Sequence, residues 1–215
     1  MKTDKDLELE FENSLQTGFR SVATNMGDQS AATNTGSGSV SANTGDQSAA
    51  MNSGRNSVSA NTGDQSAAMN AGNSSVATNT GFHSVATNTG FHSAAANTGF
   101  RSTATNTGNC SAAMNTGNYS GATNMGSCSV AMNIGNWSEA EVGLGESVAI
   151  TTGYKSKARA GLGSAIVIAE RGEWNGDWKG ETHPLIGIKA AIVDGEKIKA
   201  DTWYTLRNGE FVECD

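Results

Sequence analysis

Three acidic residues recur at a spacing that could place carboxylates beside one another along a stacked fold. Asp28, Asp46 and Asp64 follow one another at intervals of eighteen positions, and each is followed by Gln. Repeated carboxylates in the turns of a β-roll can bind calcium, which takes six to eight oxygen ligands. This chain instead has Asn at most places where a carboxylate would be useful, and a neutral amide ladder needs no ion. We therefore expect no metal site and no cofactor.

The histidines and cysteines offer little further chemistry. His83 and His92 are expected on opposite edges of the fold, and His183 stands alone. Cys110 and Cys128 have the same eighteen-position interval as the Asp residues, close enough for a disulfide if neighbouring coils stack. An odd number of cysteines without a signal peptide favours reduced thiols. Because no Ser-His-Asp, Cys-His or paired-carboxylate arrangement can be placed, we predict no catalytic residues and no enzyme activity.

The elements that hold these residues follow from a repeat that runs without a break from Ser21 to Trp137. Thirteen consecutive units of nine residues obey the pattern S-x-[AS]-x-N-x-G-x-x. A unit this short cannot bury a core of its own and must stack on its neighbours. It is also too short for a helical hairpin and is rich in Asn, Thr, Ser and Gly. The repeat therefore predicts an all-β fold, a parallel β-solenoid.

A second period, twice as long, lies inside the first. The Asp-Gln pairs recur in every second unit, and Val and Ala alternate at the second place of the first six units. Tyr119 and Trp137 show the same double spacing. We infer two nonapeptides per coil and a flattened roll of two facing sheets. The array would then form about 6.5 coils and be roughly 31 Å long at ~4.8 Å per coil.

Two assignments of the inward face fit the pattern. Either Ser and Ala face inward, or Val, Thr and Met do; we favour the small residues because their uniformity suggests a tight steric limit. The invariant Gly is predicted to supply a positive φ at the turn. The invariant Asn is predicted to form a stacked ladder that pairs with backbone and with the Asn of the next coil.

The chain divides into four segments. They are an N-terminal cap at 1–20, the nonapeptide array at 21–137, degenerate terminal coils at 138–170 and a small C-terminal hairpin domain at 171–215. In the last segment Asp194-Gly195 and Asn208-Gly209 separate β-rich runs. Both pairs indicate hairpins, because the central residues of a type I′ turn need positive φ. We predict a small antiparallel β-meander that covers the open end of the solenoid.

Aromatic and cationic residues gather along one predicted edge of the roll. With two units per coil, the last place of alternate units changes from Gln to larger side chains, and two Phe residues stack in the neighbouring place. Exposed aromatic residues with Arg can form a protein-recognition patch. They could equally stabilise the turns or contact the C-terminal segment. The candidate binding residues are Phe82, His83, Phe100, Arg101, Tyr119 and Trp137.

Charge and hydropathy exclude several partners. The net charge is −7, yet residues 21–137 hold only three acids and two bases. Without a basic face we expect no direct nucleic-acid binding. A DNA mimic of this length would need about 18 negative charges. Thr-x-Thr pairs are interrupted by Met, which argues against ice binding. The start lacks the apolar region of a secretory signal, and no apolar run reaches membrane-spanning length. We expect a cytoplasmic or virion-associated protein without a membrane partner.

The run GFHSVATNTGFHS and the array around it resemble nonapeptide β-helical repeat proteins of gut bacteria and their phages. The tail IKAAIVDGEKIKADTWYTLRNGEFVE looks like the small C-terminal domain of unknown function that accompanies such repeats. A weaker similarity links the S-V-A-x-x-x-G core to head repeats of trimeric autotransporter adhesins. The sequence contains no S-V-A-I-G motif, and we expect neither their secretion signal nor their membrane anchor. The resemblance implies a fold and a phage or mobile-element context, without a mechanism.

These observations predict a non-enzymatic β-solenoid that serves as a structural or protein-binding scaffold. One alternative is a cytoplasmic inhibitor that binds a host defence or DNA-processing protein. Another is a trimeric fibre or adhesin-like surface recognition protein. The partner is expected to be a protein, and homo-oligomers of two or three chains are compatible with the sequence. An inhibitor needs one compact hot spot, whereas a fibre needs an apolar face shared between chains.

Overall fold

Four-residue strands recur once per repeat unit in the computed structural model, which describes residues 13–143, 145–174 and 183–215. The strands are β1 (Asn13–Gln16), β2 (Val22–Asn25), β3 (Ala31–Asn34), β4 (Val40–Asn43), β5 (Ala49–Asn52), β6 (Val58–Asn61), β7 (Ala67–Asn70), β8 (Val76–Asn79), β9 (Val85–Asn88), β10 (Ala94–Asn97) and β11 (Thr103–Asn106). They continue as β12 (Ala112–Asn115), β13 (Gly121–Asn124), β14 (Val130–Asn133), β15 (Glu139–Val142), β16 (Val148–Thr151), β17 (Lys157–Ala160), β18 (Ala165–Arg171), β19 (Leu185–Ile192), β20 (Trp203–Arg207) and β21 (Glu210–Cys214). Much of the predicted N-terminal cap lies outside the described residues.

The strands form two sheets that face each other. Odd-numbered strands from β1 to β17, followed by β20 and β21, form an eleven-stranded sheet. Even-numbered strands from β2 to β18, followed by β19, form a ten-stranded sheet. Each array strand pairs in parallel with the strand two units further along the chain, as where Ala94 lies beside Ala112. The predicted all-β solenoid with two nonapeptides per coil is therefore confirmed, and it extends to about nine turns.

Alternate places of each unit face the interior of the roll. Numbering the nine places from the serine, places one, three and five hold Ser, Ala or Ser, and Asn, and these residues are buried in the array. Places two, four and six face outward, as the two-residue side-chain period of a strand requires. The preference for small residues inside is confirmed. In the array, no inward side chain at these places is larger than Asn.

Hydrogen bonds along the solenoid satisfy the polar groups of its interior. From Asn34 to Asn133, each Asn amide nitrogen donates to the carbonyl of the Ser 13 residues earlier, which precedes a strand of the opposite sheet. Each Asn Oδ1 accepts the N–H of the Gly two places later, as in Gly99 to Asn97 at 2.9 Å. The predicted pairing with backbone is confirmed. The Asn side-chain nitrogens thus bond across the interior to the opposite sheet, whereas the sequence also predicts a bond to the Asn of the next coil.

The serines provide a second ladder. The backbone N–H of Ser84 donates to Oγ of Ser102 at 3.0 Å, and Oγ of Ser102 donates to the carbonyl of Gly81 at 3.0 Å. The same bonds recur at successive coils. Buried polar groups cost free energy unless they are paired, so these ladders are what allows a polar interior to be stable.

The predicted positive φ of the invariant Gly is wrong. Left-handed backbone occurs instead at place nine, where residues such as Gln65 and Tyr119 have φ of 54° and 55°. The Gly is required because its backbone contacts the coil before it: a Cβ on Gly99 would overlap the carbonyl oxygen of Gly81. Close approach of two backbones, rather than an unusual φ, excludes every side chain there.

Antiparallel strands complete both sheets at the C-terminal end, as predicted. They are divided between the sheets, because β19 pairs with β18 while β20 and β21 extend the sheet that ends in β17. Asn208 and Gly209 have positive φ and form the expected hairpin between β20 and β21. Asp194-Gly195 does not form a hairpin, since the strands on either side belong to different sheets. Oδ1 of Asp194 instead accepts the N–H groups of residues 196 to 198, and these bonds lower the pKa of its carboxyl.

Large apolar side chains fill the interior only in these last coils. Val142, Ile166, Ile168, Tyr204 and Leu206 are buried in one cluster. Glu139 still pairs with Lys157 at the 18-residue interval of the array, whereas Val148 pairs with Ala165, 17 residues later. The last coil is therefore one residue shorter, although its strands still pair in parallel. In the part of the chain that the structure describes, no helix is long and apolar enough to cross a membrane.

Candidate binding edge

The turns that follow the even-numbered strands form one edge of the roll, and the predicted site lies on it. Residues at place nine of these turns have a left-handed backbone that is held by a bond to the next coil. The N–H of His83 donates to the carbonyl of Phe100 at 2.9 Å, and that of Tyr119 to Asn136 at 2.8 Å. The backbone of each coil thus fixes where the side chains of places eight and nine project.

Aromatic rings form a continuous ladder along this edge. The ring centroids of Phe82 and Phe100 are 6.2 Å apart, and those of Phe100 and Tyr119 are 5.4 Å apart in an edge-on arrangement. Tyr119 and Trp137 stack at 5.1 Å with nearly parallel planes. The ladder passes from place eight to place nine between Phe100 and Tyr119 without a gap. The structure therefore brings together all four aromatic residues of the predicted site.

The two cationic candidates differ in their relation to the ladder. The guanidinium carbon of Arg101 lies 5.5 Å from the centroid of the adjacent Phe100 ring, within the range of a cation–π interaction. His83 is exposed beside Phe82 on the same edge. His92 and Phe91, which have the same local sequence, lie on the opposite edge. The local sequence is therefore the same on both edges. Whether a residue lies on one edge or the other depends on whether its turn follows an even-numbered or an odd-numbered strand.

The ladder ends in a buried pair that sequence reasoning did not assign to the site. Tyr154 continues the rings at 5.4 Å from Trp137, and the His183 imidazole stacks on Tyr154 at 3.7 Å with an interplanar angle of 2°. Both are buried, whereas Phe82, Tyr119 and Trp137 are 56%, 48% and 41% exposed. The edge is thus anchored against the C-terminal segment at one end and open to solvent over the coils before it. The open stretch is the part available to a partner.

A cleft of about 500 Å³ adjoins the buried end of the ladder. Trp137 and Tyr154 line it together with Lys155, Arg171 and Glu173. Lys155 lies 3.7 Å from Glu173, and Arg171 donates to the carbonyl of His183 at 2.9 Å. The Tyr154 hydroxyl and the Lys155 ammonium lie near Glu173 and lower the pKa of its carboxyl. These charges largely neutralise one another, so the cleft does not select a strongly charged ligand.

The opposite edge carries two of the three cysteines. Cys110 and Cys128 are exposed and are not bridged. Sγ of Cys128 lies 3.5 Å from Oε2 of Glu146, and this carboxylate raises the pKa of the thiol. A raised pKa disfavours the reactive thiolate, so Cys128 is poorly suited to nucleophilic chemistry. Within the described ranges, no group of three or more His, Cys, Asp or Glu residues is arranged to hold a metal ion.

The two buried residues of the edge differ in how far the sequence could reveal them. Tyr154 occupies place eight, three coils after Phe100, so the double-unit period places it in the same column. His183 comes from beyond the repeats, and its position depends on how the C-terminal strands return to the solenoid. No periodic signal could have predicted that contact.

Comparisons with protein-family models, with curated proteins and with solved structures found no match to this chain. The repeat fold agrees with the type of family suggested by the sequence, whereas the specific family has no support from these comparisons. Any function must therefore be argued from the chain's own surface.

Proposed function

We propose that this protein is a non-catalytic β-solenoid scaffold that binds a protein partner through its aromatic edge. The observation that carries the proposal is the ring ladder from Phe82 to Trp137, with Arg101 beside it. Phe82, Tyr119 and Trp137 are exposed, and Phe100 is half-buried. Aromatic and Arg side chains dominate the binding energy of most protein interfaces. The backbone already fixes the positions of the rings, so binding loses little conformational entropy.

The shape of the edge suits a protein surface better than a small molecule. The rings follow one another over successive coils at about 4.8 Å per coil, which gives a ridge rather than an enclosed pocket. Arg101 is the cation beside the rings between Phe82 and Tyr119, and His83 follows Phe82 in the same turn. Contact with an apolar groove on a partner would therefore bury the rings without leaving an unpaired carboxylate.

The biological setting is part of the same proposal. A phage or mobile-element origin, and a place in the cytoplasm or in a virion, rest on the resemblance of the array and its tail to phage-associated nonapeptide repeats. In such a setting the ridge would serve in particle structure or in contact with a host protein. The proposal assigns no reaction, cofactor or nucleic-acid ligand to the chain.

The test uses two positions with the same local sequence on opposite edges. A photo-crosslinking phenylalanine analogue replaces Phe82 in one version of the full chain and Phe91 in another. Both versions are irradiated in a lysate of the cell that carries the gene. We expect a crosslinked protein from position 82 that is absent from position 91. Excess unlabelled wild-type chain should abolish it, and excess Phe100→Ser/Tyr119→Ser double variant should not.

The same double variant separates binding from turn stabilisation. The double variant loses three ring contacts of about 0.5–1.5 kcal/mol each, so its melting temperature should fall by several degrees in either case. If the double variant competes as well as wild type despite a lower melting temperature, the rings stabilise the turns and the proposal is wrong. Equal crosslinking from positions 82 and 91 would also overturn it.

A further inference from the structure

The outer face of the ten-stranded sheet has no charged side chain at its outward places from Val22 to Val167. These places hold Val, Ala, Thr, Met and Ile. The outward residues of β19 continue this face, and Ile188 and Ile192 are 60% and 68% exposed. The face lies on the flat of the roll, away from the aromatic edge. A monomeric protein rarely exposes an apolar surface of this extent.

The eleven-stranded sheet differs on its outer face at the same end. Lys157 lies 3.2 Å from Glu139, and Nε of Arg159 donates to Glu141 at 2.9 Å. Both cations also lie over the ring of Trp203, at 4.9 and 4.7 Å from its centroid. The two sheets have the same coil geometry, and the eleven-stranded sheet carries charged side chains on its outer face at this end. The coil geometry therefore does not explain why the ten-stranded sheet has none at the equivalent places.

We propose that the outer face of the ten-stranded sheet is the contact between two copies of this chain, packed face to face about a two-fold axis. Each chain has a net charge of −7, so two copies associate most readily through a surface that adds no contact between like charges. This face offers such a surface. A partner recognised through charge would find no complementary group on it, whereas a second copy presents the same uncharged surface.

The size of the face is sufficient for a stable dimer. Ten strands at roughly 4.8 Å spacing give a length of about 43 Å, and places two to six give a width of about 14 Å. The projected area is about 600 Å² per chain, and the accessible area of a corrugated surface exceeds its projection. Stable interfaces bury roughly 800 Å² per partner. Two facing sheets about 10 Å apart would reach that range.

The spacing of the side chains also favours a second copy. Outward residues form rows that repeat every coil, as in Val58, Val76, Ala94 and Ala112 at place two. Ridges at roughly 4.8 Å can interdigitate along their whole length only with a surface of the same period. A second copy supplies that period, whereas an unrelated globular surface does not.

The test compares Thr78→Glu with Thr87→Glu. Both threonines lie in the sequence VATN, at the fourth place of consecutive units, but Thr78 is on the ten-stranded sheet and Thr87 on the other. The mass of the full chain is measured by light scattering after size exclusion and by sedimentation over a range of concentrations. We expect twice 22.0 kDa for wild type and for Thr87→Glu. Thr78→Glu should raise the dissociation constant at least about 100-fold, because a charge would be buried against its own copy.

Ile150→Glu, on the same face nearer the C-terminus, provides a second charge substitution in case Thr78 lies at the margin of the contact. Circular dichroism confirms that each variant is folded. A wild-type mass of 22.0 kDa at high concentration would overturn the proposal, as would a mass near three chains. A dimer that persists in Thr78→Glu and Ile150→Glu would show that the chains meet elsewhere. Dissociation of Thr87→Glu to the same extent as Thr78→Glu would show that the effect is not specific to the face.

Discussion

The array and the C-terminal coils belong to the same two sheets, yet their interiors are stabilised by different forces. In the array the inward residues are Ser, Ala and Asn, whose hydrogen bonds repeat from coil to coil. In the last coils the equivalent places hold residues such as Val142 and Ile168, and apolar burial replaces the amide ladder. The parallel register continues across the change, as shown by Asn133 beside Thr151 and Thr151 beside Ile168.

The difference shows what each interior can support. The serine ladder needs a serine in each neighbouring coil, so it suits the middle of a long repeat. Apolar packing needs only matching volume and accepts strands of different direction, such as β19 and β20. The apolar coils therefore provide the transition from a parallel solenoid to its antiparallel end.

Substitution of a repeat Gly should have the largest effect on the array. A Cβ on Gly99 would overlap the backbone of Gly81, so Gly99→Ala should force two coils apart and cost at least about 3 kcal/mol. Gly121→Ala is the control, because Gly121 lies on an outer face with no atom within 4 Å of the added carbon. It should be neutral or stabilising by up to about 1 kcal/mol. Urea unfolding followed by circular dichroism measures both, and equal losses would mean that contact between coils does not explain the repeat Gly.

Removal of one amide from the ladder should have the next largest effect. Asn88→Leu would leave the N–H of Gly90 and the carbonyl of Ser75 without the bonds they now make at 3.0 and 2.9 Å. The Ser75 carbonyl keeps the N–H of Ala94 at 3.0 Å, so the group left unsatisfied is the N–H of Gly90. One unsatisfied buried group costs about 1–3 kcal/mol, which is the expected loss. Thr87→Leu, one residue earlier and facing outward, should change stability by less than about 0.5 kcal/mol. If the two variants unfold at the same urea concentration, the array does not depend on its amides.

Periodicity explains why much of this fold could be predicted from sequence. The regular spacing of Asp28, Asp46 and Asp64 gives the coil, and the uniform Ser, Ala and Asn places give the inward face. The same period assigns the four aromatic residues of the ladder to one edge. Each of these inferences uses only the equivalence of neighbouring coils.

Features that depend on contacts outside the repeat could not be predicted in this way. His183 reaches Tyr154 only because the C-terminal strands divide between two sheets, and no local signal specifies that division. The role of the repeat Gly was misassigned because a close approach of backbones and a positive φ both require Gly. The invariant Gly in the sequence shows that no side chain is accepted at this place of the repeat. Only the structure shows that the carbonyl of the preceding coil excludes it.

The smallest effect, and one of opposite sign, is expected where the two interiors meet. Thr151 occupies the Asn place of β16, between Asn133 of the amide ladder and Ile168 of the apolar cluster. Its buried hydroxyl has no hydrogen-bond partner among the described residues. Thr151→Val keeps the shape and removes the unsatisfied group, so it should stabilise the fold by about 1 kcal/mol. Thr205→Val is the control, since that hydroxyl donates to the carbonyl of Ser156 at 3.1 Å and its removal should cost about 1 kcal/mol. A hydroxyl without a partner is expected only where the amide ladder meets the apolar core. A gain in melting temperature for Thr151→Val would therefore locate the boundary between the two interiors at Thr151. A loss equal to that of Thr205→Val would instead show that the hydrogen-bonded interior extends one coil further toward the C-terminus.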